Sequence, residues 1–174
     1  GRHPLADAWH AQRSPRFNRI RVPLLSAGNW GGAGLHLRGN IEGWMRSAST
    51  RKWLSVHDGT HFESFYLPQY VDMQRRFFDR YLKEIDNGWE SEPPVQLSIR
   101  HPHAPSVRRM EREFPLARTA WTRFHLDAAT RTLSCSGNPG PASARYAATD
   151  GRLDFSSAPF DIDTEFTGFV SLRL

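Results

Sequence analysis

Two rhythms of apolar residues divide this chain. In the first half, runs of strand length alternate with segments whose apolar positions recur every three or four residues. "IRVPLLSAGNW" (20–30) is a strand-length run that closes in Gly28-Asn29, and "KWLSVH" (52–57) is a second. Between them, "GGAGLHLRGNIEGWMRSAS" (31–49) places Leu35, Ile41, Trp44 and Met45 on one helical face, although its glycines lower its helix propensity. The clearest helix signal lies in "LPQYVDMQRRFFDRYLKEIDNG" (67–88), where Tyr70, Met73, Phe77, Tyr81 and Ile85 share a face and Asn87-Gly88 marks the stop. A short helix is predicted over "LADAWHAQ", with Pro4 in its first turn and Ser14-Pro15 as its end. Strand, helix, strand, helix is the order of a parallel sheet with crossover helices.

Around "NGWESEPP" (87–94) the rhythm changes. Beyond it come short alternating or β-branched runs, "VQLSIR", "TAWTRFHLD", "TLSCS" and "FTGFVSLRL", separated by turn-rich stretches such as "GNPGPASA" and "ATDGR". This is the texture of an antiparallel sandwich or jelly-roll. The expected organisation is therefore an α/β portion over 1–90 followed by an all-β portion over 91–174. The last run meets Leu174 without a closing turn, and "GRHPLADAWHAQRSP" opens like the middle of a domain, so the chain is expected to be cut short at both ends.

Composition narrows the function classes. With 174 residues, 39% hydrophobic and 24% charged, the chain is of globular type and holds no apolar run near the roughly 18 residues of a membrane helix. The formal charge of +5 comes almost wholly from dispersed arginines, Lys52 and Lys83 being the only lysines, so no basic stripe for nucleic acid is built. The single cysteine, Cys135, rules out an internal disulfide and leaves the compartment open; no signal peptide is legible at the N-terminus, which is compatible with the cytoplasm.

Candidate chemistry concentrates in "KWLSVHDGTHFESFY" (52–66), where an apolar run ends in a loop carrying His57, Asp58, His61 and Glu63. Three readings compete: a catalytic loop, a metal site and a solvated loop. A metal held by His57, Asp58 and His61 fits in ligand type, but their spacing converges only on a helix, which Gly59 opposes. "GNWGGAG" lacks the lysine of a P-loop and the order of a dinucleotide motif. "RHPHAP" (100–105) reads as a surface loop. Trp53, Phe62, Phe65, Tyr66, Tyr70, Phe77 and Phe78 read mostly as core, with the option of bordering a pocket near His61. No G-x-S-x-G elbow occurs, and Ser26, Ser47, Ser49, Ser55 and Ser64 read as ordinary strand, helix or loop residues.

In order along the chain, "RVPLLSAGNWGGAGLHLRGNIEGW", "KWLSVHDGTHFESFY", "MQRRFFDRYLKEIDNGWESEPPVQLSIR", "FPLARTAWTRFHLD" and "FTGFVSLRL" resemble the C-terminal half of the CocE/NonD hydrolases, the group of cocaine esterase and X-Pro dipeptidyl-peptidases. The resemblance implies the C-terminal part of an α/β-hydrolase domain followed by an incomplete, galactose-binding-like β jelly-roll. It also implies a Ser-His-Asp triad in which His61 matches the catalytic histidine, while His57 packs beside the site. The family's aspartate follows the "VP…G" strand, and aligned on Val22-Pro23 its place falls on Gly32. A histidine without that partner loses the group that fixes its tautomer, at a cost of up to about 10⁴ in turnover.

Three explanations stand open: a substitute carboxylate (Glu42, Asp58, Glu63 or one outside the chain), a dyad, or lost hydrolysis. The nucleophile is expected upstream, so this polypeptide is expected to be inactive by itself, and the parent to be a serine hydrolase acting on a small acyl or peptidyl substrate without metal or organic cofactor. Cleavage of an X-Pro peptide and of an acyl ester both fit. An exposed sheet face in the second half is compatible with covering the site or with a homo-oligomer. The alternative is a non-catalytic binding or assembly module; a carbohydrate-binding sandwich would need a complete jelly-roll with clustered exposed aromatics.

Overall fold

The computed structural model describes residues 3, 5–32, 34, 36–137 and 139–173, and of Glu63 the backbone only. Pro4, Leu35 and Leu174, to which the sequence pattern gives roles, lie outside the described residues. The chain divides into two compact units, Gly1–Phe114 and Pro115–Leu174.

In the first unit, α1 (Ala8–Arg13) is capped by Asp7, whose carboxylate accepts from the Trp9 and His10 amides, and it ends at Ser14 ahead of Pro15. β1 (Leu24–Asn29) starts immediately after Pro23, later than the apolar run suggests, because Pro23 has no N–H for the ladder and the Leu24 N–H is the first to pair, with Arg51 O. α2 (Leu37–Arg46) then leads into β2 (Lys52–His57), which pairs in parallel with β1 from Leu24↔Lys52 to Asn29↔His57. A single-turn helix α3 (Glu63–Tyr66) and the long helix α4 (Pro68–Leu82) follow. β3 (Val95–His101) pairs in parallel with β2 through Leu54↔Val95, and β4 (Ala104–Glu111) returns antiparallel to β3, giving a four-stranded sheet in the order β1-β2-β3-β4.

The two helices cover opposite faces of this sheet. On one side Ser26 Oγ donates to Asn40 O of α2, and Gly28 lets Leu37 approach so closely that an added Cβ would sit 3.0 Å from its Cδ1. On the other, Trp53, Tyr70, Met73, Phe77 and Trp89 form one buried cluster with Leu25 packed against it. Its rings meet edge to face, Trp53 and Trp89 at 5.5 Å and Phe77 and Trp89 at 5.4 Å, an arrangement favoured by ring quadrupoles. After α4 the chain folds back along it: Glu92 and Glu90 pair with Arg76 and Arg80 at 2.5 Å each, and Asn87 Nδ2 donates to Arg76 O. That return carries Trp89 into the core and delivers β3 to the free side of β2.

Several expectations are corrected here. The buried face of α2 is Leu37, Ile41 and Trp44, while Met45, one residue further round the helix, is exposed. α4 stops at Leu82 because Glu84 adopts a left-handed φ of 58°, which leaves Ile85 outside the helix and exposed. "VQLSIR", grouped by texture with the all-β half, is β3 of the first sheet: five consecutive buried residues, Val95 to Ile99, suit a strand covered on both faces. The compact units divide at Phe114 and Pro115.

The second unit is largely irregular among its described residues. A hairpin of β5 (His125–Asp127) and β6 (Thr132–Ser134) is closed by Asp127 Oδ1, which accepts from the Ala129 and Thr130 amides. Thr132 and Ser156 form a single bridge. "FTGFVSLRL" was a strand expectation, yet residues 166–173 form none. A β-rich run becomes a strand only where a neighbour supplies the ladder and a face is buried, and among the described residues of this unit only Leu116 is buried. The fold is thus mixed α/β, as expected, with the jelly-roll not displayed.

Replacing Phe77 by alanine is expected to cost about 3–5 kcal/mol of stability, while Phe78→Ala, on the exposed side of the same helix, changes it by no more than about 0.5 kcal/mol. Urea unfolding of the two variants against the parent checks the contrast.

Candidate active site

The in-register parallel pair Asn29↔His57 brings the turn after β1 and the loop after β2 side by side at the carboxyl ends of the strands. In open α/β sheets this is the edge where ligands bind. Asn29, 5% exposed, joins the two loops through one amide group. Its Nδ2 donates to Gly59 O at 2.8 Å, to Thr60 O at 3.2 Å and, more weakly, to Asp58 O at 3.4 Å. Ser64 Oγ, buried, donates to Asp58 O at 2.8 Å from the far end of the loop. Gly59 makes the turn at φ 81°, a conformation open to glycine. The loop is therefore held at both ends by side chains that leave His61 free.

His61 is exposed at the tip. Its ring stacks on His36 with centroids 4.7 Å apart and planes 24° from parallel, and meets the edge of Phe62 at 4.7 Å. His36 stands at the start of α2, its N–H donating to Gly32 O at 2.9 Å. A half-open depression of about 320 Å³ lies between them, floored by Gly31, Gly32 and Gly34 and walled by His36, His61 and Thr60. His57 is buried beside the site, its Nδ1 3.1 Å from Asp58 O and its ring tilted against Tyr70 at 5.4 Å. The packing role read for His57 is what the structure displays. His36 was missed, since nothing in a lone histidine ahead of a helix signals that it will stack across the sheet edge.

The candidate acids are not brought to His61. Asp58 is held by the hydroxyls of Ser106 and Ser98 on the neighbouring hairpin, and the Ser106 bond chiefly keeps its carboxyl below the ordinary value of 3.8. Glu42 sits half-buried along α2 and lines no part of the depression. The Glu63 side chain lies outside the described residues. Ser26, Ser47 and Ser49 donate to backbone carbonyls, Ser64 ties the histidine loop, and Ser55 is buried within β2. Among the described residues, no group of three or more histidine, cysteine or acidic side chains is placed to hold a metal ion. "RHPHAP" is the exposed β3–β4 turn. The aromatic series splits: Trp53, Tyr70 and Phe77 are core, whereas Phe62, Phe65, Tyr66 and Phe78 are exposed.

Residues 87–174 match the family model described as the X-Pro dipeptidyl-peptidase C-terminal non-catalytic domain. The chain belongs to the X-Pro dipeptidyl-peptidase C-terminal domain family. Its likeness to the CocE/NonD hydrolases, expected from the ordered sequence blocks, is borne out by two crystal structures of a CocE/NonD family hydrolase from Staphylococcus aureus. Each is 36% identical to this chain with a TM-score of 0.71, over 77% and 78% of this chain respectively and 24% of the hydrolase. The chain thus spans about a quarter of the length of these relatives. No curated protein matches it. His61, His36 and Asn29 lie ahead of the segment matched by the family model.

Two outcomes follow from this geometry. Asn29→Ala leaves two carbonyls short of a donor and is expected to cost about 1–3 kcal/mol and to speed hydrogen exchange across residues 58–61 more than elsewhere in the sheet, read by amide exchange. Because the Asp58 carboxyl titrates below 3.8 when folded, its contribution is complete above 3.8 and is lost as the pH falls through the lower folded value. Ser106→Ala should shrink that acid loss, checked by urea midpoints at about pH 3 against about pH 6.

Proposed function

We infer that the full-length protein is a hydrolase that cleaves an ester or amide bond through an acyl-enzyme, with His61 as its general base and then general acid. The observation that carries this reading is the setting of His61: exposed at the carboxyl edge of a parallel sheet, on a loop held by Asn29 and Ser64, facing an open depression. A serine supplied by the rest of the protein attacks the carbonyl as its hydroxyl proton passes to an imidazole nitrogen of His61. The same proton then goes to the leaving alcohol or amine, and water repeats the cycle to free the acid. The substrate is a small acyl ester or an X-Pro peptide. His57, buried against Tyr70, does not reach the depression and takes no part in the transfer.

A second reading has its own support: the matched family domain is described as non-catalytic. In that reading this portion binds or assembles. Labelling of the full-length protein with a fluorophosphonate separates the two. Strong labelling that falls by about 10⁴-fold in His61→Ala is expected for the hydrolase; no labelling of the folded wild type leaves the binding module.

A further inference from the structure

The depression beside His61 has the form of an anion site with no anion of its own. A Cβ added at Gly34 meets nothing within 4 Å, and one added at Gly32 reaches ordinary van der Waals contact with a single atom, Asn29 Oδ1 at 3.8 Å, so no backbone closes this stretch. The walls are two imidazoles in a stack at 4.7 Å. Each imidazole carries a ring N–H that can donate to an anion. Asp7 pairs with His3 and His10, and Asp58 is committed to Ser106 and Ser98. α2, ten residues long, begins at His36 with no side chain capping its first-turn amides, which adds positive potential at the same edge.

We propose that this depression is a subsite for a small carboxylate, seated over Gly32 and donated to by His36 and His61. The depression, about 320 Å³, has room for a small carboxylate. The subsite itself needs only this geometry. Its catalytic meaning rests on the hydrolase reading: a ligand's carboxylate then supplies the anion that holds the tautomer of His61.

The test follows the ring Hε1 signals of His36 and His61 in the full-length protein, labelled at histidine Cε1, during titration with sodium acetate. The pH is fixed and sodium chloride holds the ionic strength constant. Both signals should move saturably with acetate. Gly32→Asp, which brings a carboxylate in cis, and Gly32→Leu, which fills the space without charge, should each abolish the response while Tyr70 and Trp89 keep their native shifts. No acetate response, an equal response to chloride, or a response that survives both variants overturns the proposal. Fluorophosphonate labelling of the same protein separates the two inferences. An acetate response without labelling keeps the subsite and removes the hydrolase; labelling without an acetate response does the reverse.

Discussion

One carboxamide holds the candidate site together. Asn29 ends β1, is almost wholly buried, and gives its amide hydrogens to the carbonyls of the loop that follows β2. Two turns that would otherwise be independent surface loops become one rigid edge. The cost of burying an amide is repaid only if it is bonded, and here its partners are the backbone groups that position His61. Position 29 therefore couples the sheet, through the in-register pair Asn29↔His57, to the placement of an exposed imidazole.

The sheet beneath depends on burial. Trp53 of β2, Tyr70 and Phe77 of α4, and Trp89 of the return segment share one cluster, so α4, β2 and the entry to β3 are held by the same apolar contacts. The return along α4 is reinforced by the Arg76–Glu92 and Arg80–Glu90 pairs. These pairs lie toward solvent and are individually weak; their role is direction, since they turn the chain so that Trp89 points inward. β3 follows, and the sheet continues beyond the point where the texture of the sequence changes. The family boundary at residue 87 and the compact-unit boundary at Phe114 differ for this reason: the first strand of the matched segment pairs with the hydrolase-like sheet.

His61 stands exposed at the carboxyl edge of the sheet, in the loop that Asn29 and Ser64 hold. Gly32 and its glycine neighbours line the depression beside it, and His36 lies against His61 from the helix side. Asp58, although adjacent in sequence to His57, is drawn to the β3–β4 hairpin by two serine hydroxyls. Chain proximity is thus a poor guide to partnership in this loop, because the hydroxyls offer the carboxylate charge-assisted bonds that His61 does not.

Much of this was legible in the linear pattern. The period of the apolar residues marked both parallel strands and both crossover helices of the first half, with the second strand at its observed limits, because local periodicity and burial are two views of the same constraint. The ordered blocks also identified the CocE/NonD likeness. What the pattern could not decide was anything set by contacts distant in sequence. Whether "VQLSIR" joins the first sheet depends on Val95 meeting Leu54; whether "FTGFVSLRL" becomes a strand depends on a neighbour to supply its ladder. The stacking of His36 on His61 and the diversion of Asp58 to Ser106 likewise join residues whose spacing carries no period. Sequence by itself determined the strands and helices of the first half and the family likeness, since these rest on local pattern; the tertiary structure alone decided which runs become strands in the second half, which elements pair and what surrounds the imidazole, since those are fixed by packing.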